Sequence, residues 1–169
     1  MGYRLEVITD SVREAVLQAG GLMVDRRRAG WQVVVVTADA THAEALAILG
    51  VRAEPPNPCD DGDFQRDRPF RTAVAPLEHL ATTRESVADA WLLWGEHNDE
   101  TSARALQPVR HQLSPAARAF KSHALRRAGL QASDMPEEWF WIDDRAPVTA
   151  DSAPSGSRSS TVVGGYAGG

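Results

Sequence analysis

The chain predicts an α/β fold: a three-layer, Rossmann-like unit with a short, mostly parallel sheet, joined to a helical second half and a disordered C-terminal tail. Three observations carry this reading. Between Met1 and Glu54, short apolar runs alternate with helical stretches in the order β-α-β-α-β. The run Trp31 to Thr37 (WQVVVVT) is almost continuously β-branched, which suits a strand buried on both faces of a parallel sheet. From Asp151 to Gly169 there are five Ser and five Gly with almost no large apolar side chains, so burial cannot offset the entropy of ordering that segment.

Arg4 to Thr9 (RLEVIT) reads as the first strand. Asp10 or Ser11 can cap the helix that follows, with Glu14 three residues after Ser11 in a capping-box pattern. Val12, Val16, Ala19 and Met23 fall on one face of that helix, while Arg13 and the run Arg26, Arg27, Arg28 fall largely outside it. Gly20 and Gly21 each cost about 1 kcal/mol relative to Ala in a helix interior, so close packing of helix on strand is expected there. Gly30 stops the helix. After the second strand, His42 to Leu49 reads as a helix with Thr41 and Glu44 as a capping box and Gly50 as its stop, and Val51 to Glu54 as a third strand.

Residues 55–69 form an acidic, proline-rich loop in this reading. Its Asp60 to Asp63 stretch resembles part of a calcium loop, but the twelfth position from Asp60 is Arg71, which excludes an EF-hand. Residues 70–147 read as mainly helical. Thr82 and Glu85 can cap a helix on which Val87, Trp91 and Trp94 share a face, and Thr101 to Leu113 holds a short helix interrupted near Pro108. Ser114 and Pro115 are an N-cap and first-turn pair for a helix ending at Gly129, with Phe120 and Ala124 on its buried side. Trp139 to Ile142 (WFWI) reads as a closing strand or an aromatic anchor. The expected organisation is therefore one domain over 1–147, built from the 1–54 unit, the 55–69 loop and the 70–147 half, followed by a tail over 148–169.

Composition narrows the function classes. The chain has 169 residues, 43% hydrophobic and 24% charged, in the range of one soluble domain. Eighteen basic against 23 acidic side chains leave a net charge of −5, which disfavours a whole-chain polyanion binder. The single cysteine, Cys59, excludes an internal disulfide and a Cys-rich zinc site, and its acidic neighbours make it a poor nucleophile. No apolar run is long enough to span a bilayer, and Met1 to Asp10 lacks the pattern of a signal peptide, so a cytoplasmic protein without membrane contact is expected. Neither a P-loop, nor G-x-G-x-x-G, nor a G-x-S-x-G elbow is present.

In an open parallel sheet ligands sit beyond the carboxyl ends of the strands. Those loops supply Asp10, Asp39 and His42, whose carboxylates and imidazole could act as acid and base or hold a divalent metal. Asp10 and Thr41 also have ready roles as helix caps. From Thr101 to Ser133 there are six basic residues and no acidic one, including Arg118, Lys121, Arg126 and Arg127, which could meet phosphates. The acidic stretch Asp134 to Asp151 could instead fold back and neutralise them. Trp139 and Trp141 could anchor a partner from a strand.

Ala19-Gly20-Gly21-Leu22, then Ala29-Gly30-Trp31, then Val33 to Thr37 resembles the first β-α-β unit of the LmbE-like (PIG-L) N-acetylglucosaminyl deacetylase family. That family binds zinc through a His-Pro-Asp-Asp-Glu motif just before the same helix, using its His and an Asp, with a further His downstream. Aligned on Ala19-Gly20-Gly21, the motif falls on Ser11, Val12, Arg13, Glu14 and Ala15, and every position differs. The resemblance thus implies a shared fold element and no inherited deacetylase activity. In character the chain also resembles small proteins common in high-GC actinobacteria.

The functional expectation from sequence is a non-catalytic cytoplasmic accessory protein. It would bind another protein through Trp139, Trp141 and the basic residues Arg118, Lys121, Arg126 and Arg127, with no cofactor and no metal. One alternative is a divergent metal-dependent hydrolase with its site at the ends of the first two strands, at Asp10, Asp39 and His42. A second is nucleic-acid binding through the basic 101–133 segment.

Overall fold

The computed structural model describes residues 2–56, 69–81, 88–97 and 106–143. Seven strands form one sheet in the order β3-β2-β1-β4-β5-β7-β6. These are β1 (Tyr3–Ile8), β2 (Gln32–Val36), β3 (Arg52–Glu54), β4 (Phe70–Pro76), β5 (Ala90–Trp94), β6 (Leu106–Gln112) and β7 (Glu137–Asp143). β1 to β5 pair parallel with one another; β7 pairs antiparallel with both β5 and β6. The helices are α1 (Val12–Arg28), α2 (Ala43–Leu49) and α3 (Pro115–Arg127), with a short 3-10 turn at Leu77–Ala81. The α/β, Rossmann-like class is as expected.

Strand alternation sorts the core. Leu5, Val7, Val33, Val35, Val74 and Phe140 join Val12, Val16, Ala19 and Met23 of α1 in a single hydrophobic cluster, as the helix periodicity predicts. Ala45, Leu46 and Leu49 of α2 and Ala117, Ala124 and Leu125 of α3 complete it. All three helices pack on one another and so, among the described residues, occupy one side of the sheet. On the other side Glu6 is buried between Arg4, at 2.6 Å, and Arg71, at 2.8 Å, and Arg4 reaches on to Glu54 at 3.0 Å.

The two glycines inside α1 have a specific cause. A Cβ on Gly21 would lie 2.3 Å from Cδ2 of buried Leu113, and one on Gly20 would lie 3.3 Å from Cγ of Lys121. Close packing is therefore required, and what approaches the helix is α3 and the residue before its cap. The strand contribution comes from β7, whose Glu138 carboxylate accepts the backbone N–H groups of Gly21 at 2.7 Å and Leu22 at 2.8 Å.

The second half departs from expectation. Residues 90–94 (AWLLW) form β5 instead of a helix: Trp94 is 1% exposed on the α1 side and Leu93 is buried on the opposite face, the alternation of a strand covered on both faces. The expected helix around Pro108 is β6, an edge strand, where a residue without an N–H is tolerated. The interval 70–143 thus carries four strands and one α-helix among its described residues. Short apolar runs without clear periodicity fit either element, and pairing with β4 and β7 decides these two.

Caps were more legible. Ser11 accepts the Glu14 N–H, and Ser114 accepts the Ala117 N–H at 3.1 Å with Pro115 in the first turn of α3. Gly50 closes α2 with φ 73°. The Thr41–Glu44 box does not form, because the Thr41 hydroxyl is bonded to Asp39 at 2.5 Å and His42 stands at the helix start in a left-handed conformation. Phe120, expected inside, is 46% exposed, while Ala124 is buried as expected. Most of the 55–69 loop, Cys59, the proposed cap at Thr82 and the 148–169 tail lie outside the described residues.

Candidate functional site

Strand order reverses between β1 and β4, since β2 and β3 extend the sheet on one side of β1 and β4 and β5 on the other. A crevice at the carboxyl ends of these two strands is where such sheets bind ligands. Thr9, Asp10 and Ser11 follow β1 there, and the turn Leu77–Ala81 follows β4. Across the gap His79 Nε2 faces Asp10 Oδ2 at 4.0 Å, with the His79 side chain 22% exposed and that of Asp10 94% exposed. That separation is within ion-pair reach and beyond a direct hydrogen bond.

The surrounding residues fix this end of α1. Thr9 Oγ1 accepts the Ser11 N–H at 3.1 Å, which shapes the turn into the helix. Asp39 reaches across from the β2 loop and accepts the Val12 N–H at 2.9 Å with one oxygen, while the other takes the Thr41 hydroxyl at 2.5 Å and the Thr41 N–H at 2.8 Å. The Thr41 hydroxyl, then the Val12 and Thr41 amides, hold the Asp39 carboxyl below the usual carboxylate range. Glu14, one turn into α1, accepts the buried Trp94 indole N–H at 2.9 Å and so ties the helix to the end of β5.

Of the three strand-end residues singled out from sequence, the structure gives Asp10 a partner and gives the other two different work. Asp39 is a cap for α1, and His42 begins α2. His79 was missed, because nothing local marks it: it acquires meaning only when β4 pairs beside β1. Among the described residues no three His, Cys, Asp or Glu side chains gather in a way that could hold a metal ion.

The basic and aromatic candidates are dispersed. Lys121 is 4% exposed and donates to Glu138 at 2.7 Å, so it faces the interior. Arg127 pairs with Glu44, Arg126 donates to Ser122 Oγ at 3.2 Å, and Arg118 is exposed on α3. Glu137 and Glu138 of the acidic stretch neutralise Arg110 and Lys121 respectively. Trp139, 55% exposed, and Trp141 lie on the same side of β7; together with Gly95, Glu96, Pro108, Phe140 and Gln18 they line a cavity of about 500 Å³. No helix among the described residues is long and apolar enough to cross a membrane.

No protein-family model and no curated protein matches the chain. Several solved structures do. The deacetylase Dbv21, described as acting on the antimicrobial A40926 pseudoaglycone, aligns with TM-score 0.60 at 14% identity over 88% of this chain and 100% of its own. A deacetylase–teicoplanin complex from teicoplanin biosynthesis gives 0.56 at 14% identity over 82% of this chain and 97% of that one. The zinc-inhibited form of teicoplanin deacetylase Orf2 gives 0.50 at 15% identity over 73% and 83%. Identity this low speaks to fold alone, and the fold is deacetylase-like, in accord with the resemblance seen in the first β-α-β unit. The expectation of a non-catalytic, protein-binding accessory role is overturned by these neighbours, whose descriptions name deacetylases throughout; the hydrolase alternative fits the architecture that this chain shares with them.

Proposed function

We propose that the protein is a divergent hydrolase of the deacetylase-like fold, acting on an N-acyl bond at the carboxyl ends of β1 and β4. The carrying observation is the Asp10–His79 pair at the topological switch point. In this reading His79 takes a proton from the attacking water and returns it to the departing nitrogen. Asp10, whose carboxylate lies 4.0 Å from the His79 Nε2 that carries this proton, stabilises the imidazolium by its charge. The positive end of the 17-residue α1 opens onto the same crevice and favours negative charge developing on the acyl oxygen.

The zinc that the fold family implies is not matched by the described residues. Ser11 stands at the position of the motif His, and Arg13 and Glu14 at those of its Asp residues. The Glu14 carboxylate is bonded to Trp94, and both Asp39 oxygens are engaged by Val12 and Thr41. In this reading the metal motif is lost, and no step of the proposed reaction runs through a metal.

The test is amine release from N-acetylated amino sugars and from simple N-acyl amines, comparing the wild type with His79→Ala and Asp10→Asn. A loss of about 100-fold or more in His79→Ala, with a smaller loss in Asp10→Asn, supports the assignment. Turnover unchanged in both variants places the chemistry elsewhere.

A further inference from the structure

The parallel and antiparallel parts of the sheet meet at one register pair, Leu93 with Trp141. Beyond it β5 ends at Trp94, and Gly95, at φ 121°, turns the chain in a conformation that L side chains rarely adopt. Where Gly95 and Glu96 leave the paired register, the cavity of about 500 Å³ opens against β7, with Gln18 of α1 on its helix side. Its volume is within the range of small-molecule sites, roughly 300–1,000 Å³.

The walls select a chemistry. Trp141 is locked by its indole N–H, which donates to the Gly95 carbonyl at 2.9 Å, and the His97 ring lies 5.0 Å from it. Trp139 is more than half exposed. Its ring already attracts one cation, the Arg110 guanidinium at 6.0 Å, whose charge is matched by Glu137 at 3.2 Å. Indole faces attract cations through the ring quadrupole, and the exposed Glu96 carboxylate adds the complementary charge.

We propose that this cavity binds an organic cation, an ammonium or quaternary ammonium group carried on an apolar body, held by Trp139, Trp141 and Glu96. The site adjoins the reaction crevice. A Cβ on Gly95 would lie 3.6 Å from Cβ of Leu77, the first residue of the turn that carries His79. A cationic group bound here therefore belongs to a substrate whose N-acyl bond reaches the Asp10–His79 pair. The inference rests on the hydrolase reading for that adjacency only, and the cavity's selectivity is measurable without turnover.

The experiment titrates choline, and separately its neutral isostere 3,3-dimethyl-1-butanol, into the full chain by calorimetry and tryptophan fluorescence. Choline is expected to bind at one site about tenfold more tightly than the alcohol, and Glu96→Gln and Trp139→Leu are each expected to weaken it several-fold. Trp139 is half exposed and Glu96 is on the surface, so both variants should fold, and circular dichroism checks this. His79→Ala is expected to retain choline affinity. An inactive wild type that still binds choline sinks the hydrolase reading and leaves the cation site standing. Equal affinity for choline and the alcohol, absence of choline binding, or choline binding indifferent to both variants overturns the cation site.

Discussion

The ammonium of Lys121 on α3 lies 2.7 Å from the carboxylate of Glu138 on β7, and both residues are 4% exposed. The same carboxylate takes two backbone N–H groups from the middle of α1. One residue thus joins sheet, α1 and α3, at the place where Gly20 and Gly21 let the neighbouring elements approach.

Breaking this clamp from the acidic side leaves a buried, uncompensated ammonium. Glu138→Gln is expected to destabilise the fold by about 3–5 kcal/mol, the range for removing one member of a buried pair. Lys121→Met should cost less, since Glu138 keeps both α1 amides. Urea midpoints for the two variants give the comparison. Equal, sub-kilocalorie losses would show that the pair is not a clamp.

Gly21→Ala should be destabilising even though Ala is the better helix former by about 1 kcal/mol. The new methyl meets Leu113 at 2.3 Å, and overpacking of this kind costs about 1–3 kcal/mol. Leu113→Ala in the same chain makes room for it. A double-mutant cycle should therefore show favourable coupling of about 0.5–3 kcal/mol; strict additivity would mean that Leu113 is not what the glycine accommodates.

Asp39 contributes through the cap of α1, so Asp39→Ala is expected to cost about 1 kcal/mol at neutral pH. Because folding lowers the carboxyl's proton affinity, this contribution is fully present above the ordinary carboxylate range and is lost as pH falls through the depressed folded value. Glu54 behaves in the same sense: burial pushes it up, but the bonds and charges of Arg52 and Arg4 outweigh that and lower it. Stability should fall with acidification, and the gap between wild type and Asp39→Ala should narrow. A gap independent of pH from 7 to 3 would remove Asp39 from the linkage.

Metal removal separates this chain from a zinc deacetylase. Activity is expected to survive exhaustive treatment with a chelator, since the described residues at the crevice offer no ligand trio. Activity lost on chelation and restored by zinc would require ligands from outside those residues, and would displace His79 as the proton carrier.

What the sequence determined alone is what depends on neighbours along the chain. The Val-rich second strand, the apolar stripe of α1, the caps at Ser11 and Ser114 and the left-handed stop at Gly50 are set by local sterics and hydrogen bonding within a few residues. Asp10 was legible as a strand-end carboxylate for the same reason. Tertiary structure decided the remainder. AWLLW and the segment around Pro108 have no period strong enough to choose between helix and strand, and became strands because β4 and β7 offered backbone partners. Asp39 could have been a catalytic acid until the Val12 amide, 27 residues away in the chain, claimed it. His79 lies 69 residues from Asp10, and only the parallel pairing of β1 with β4 brings the two together at the switch point.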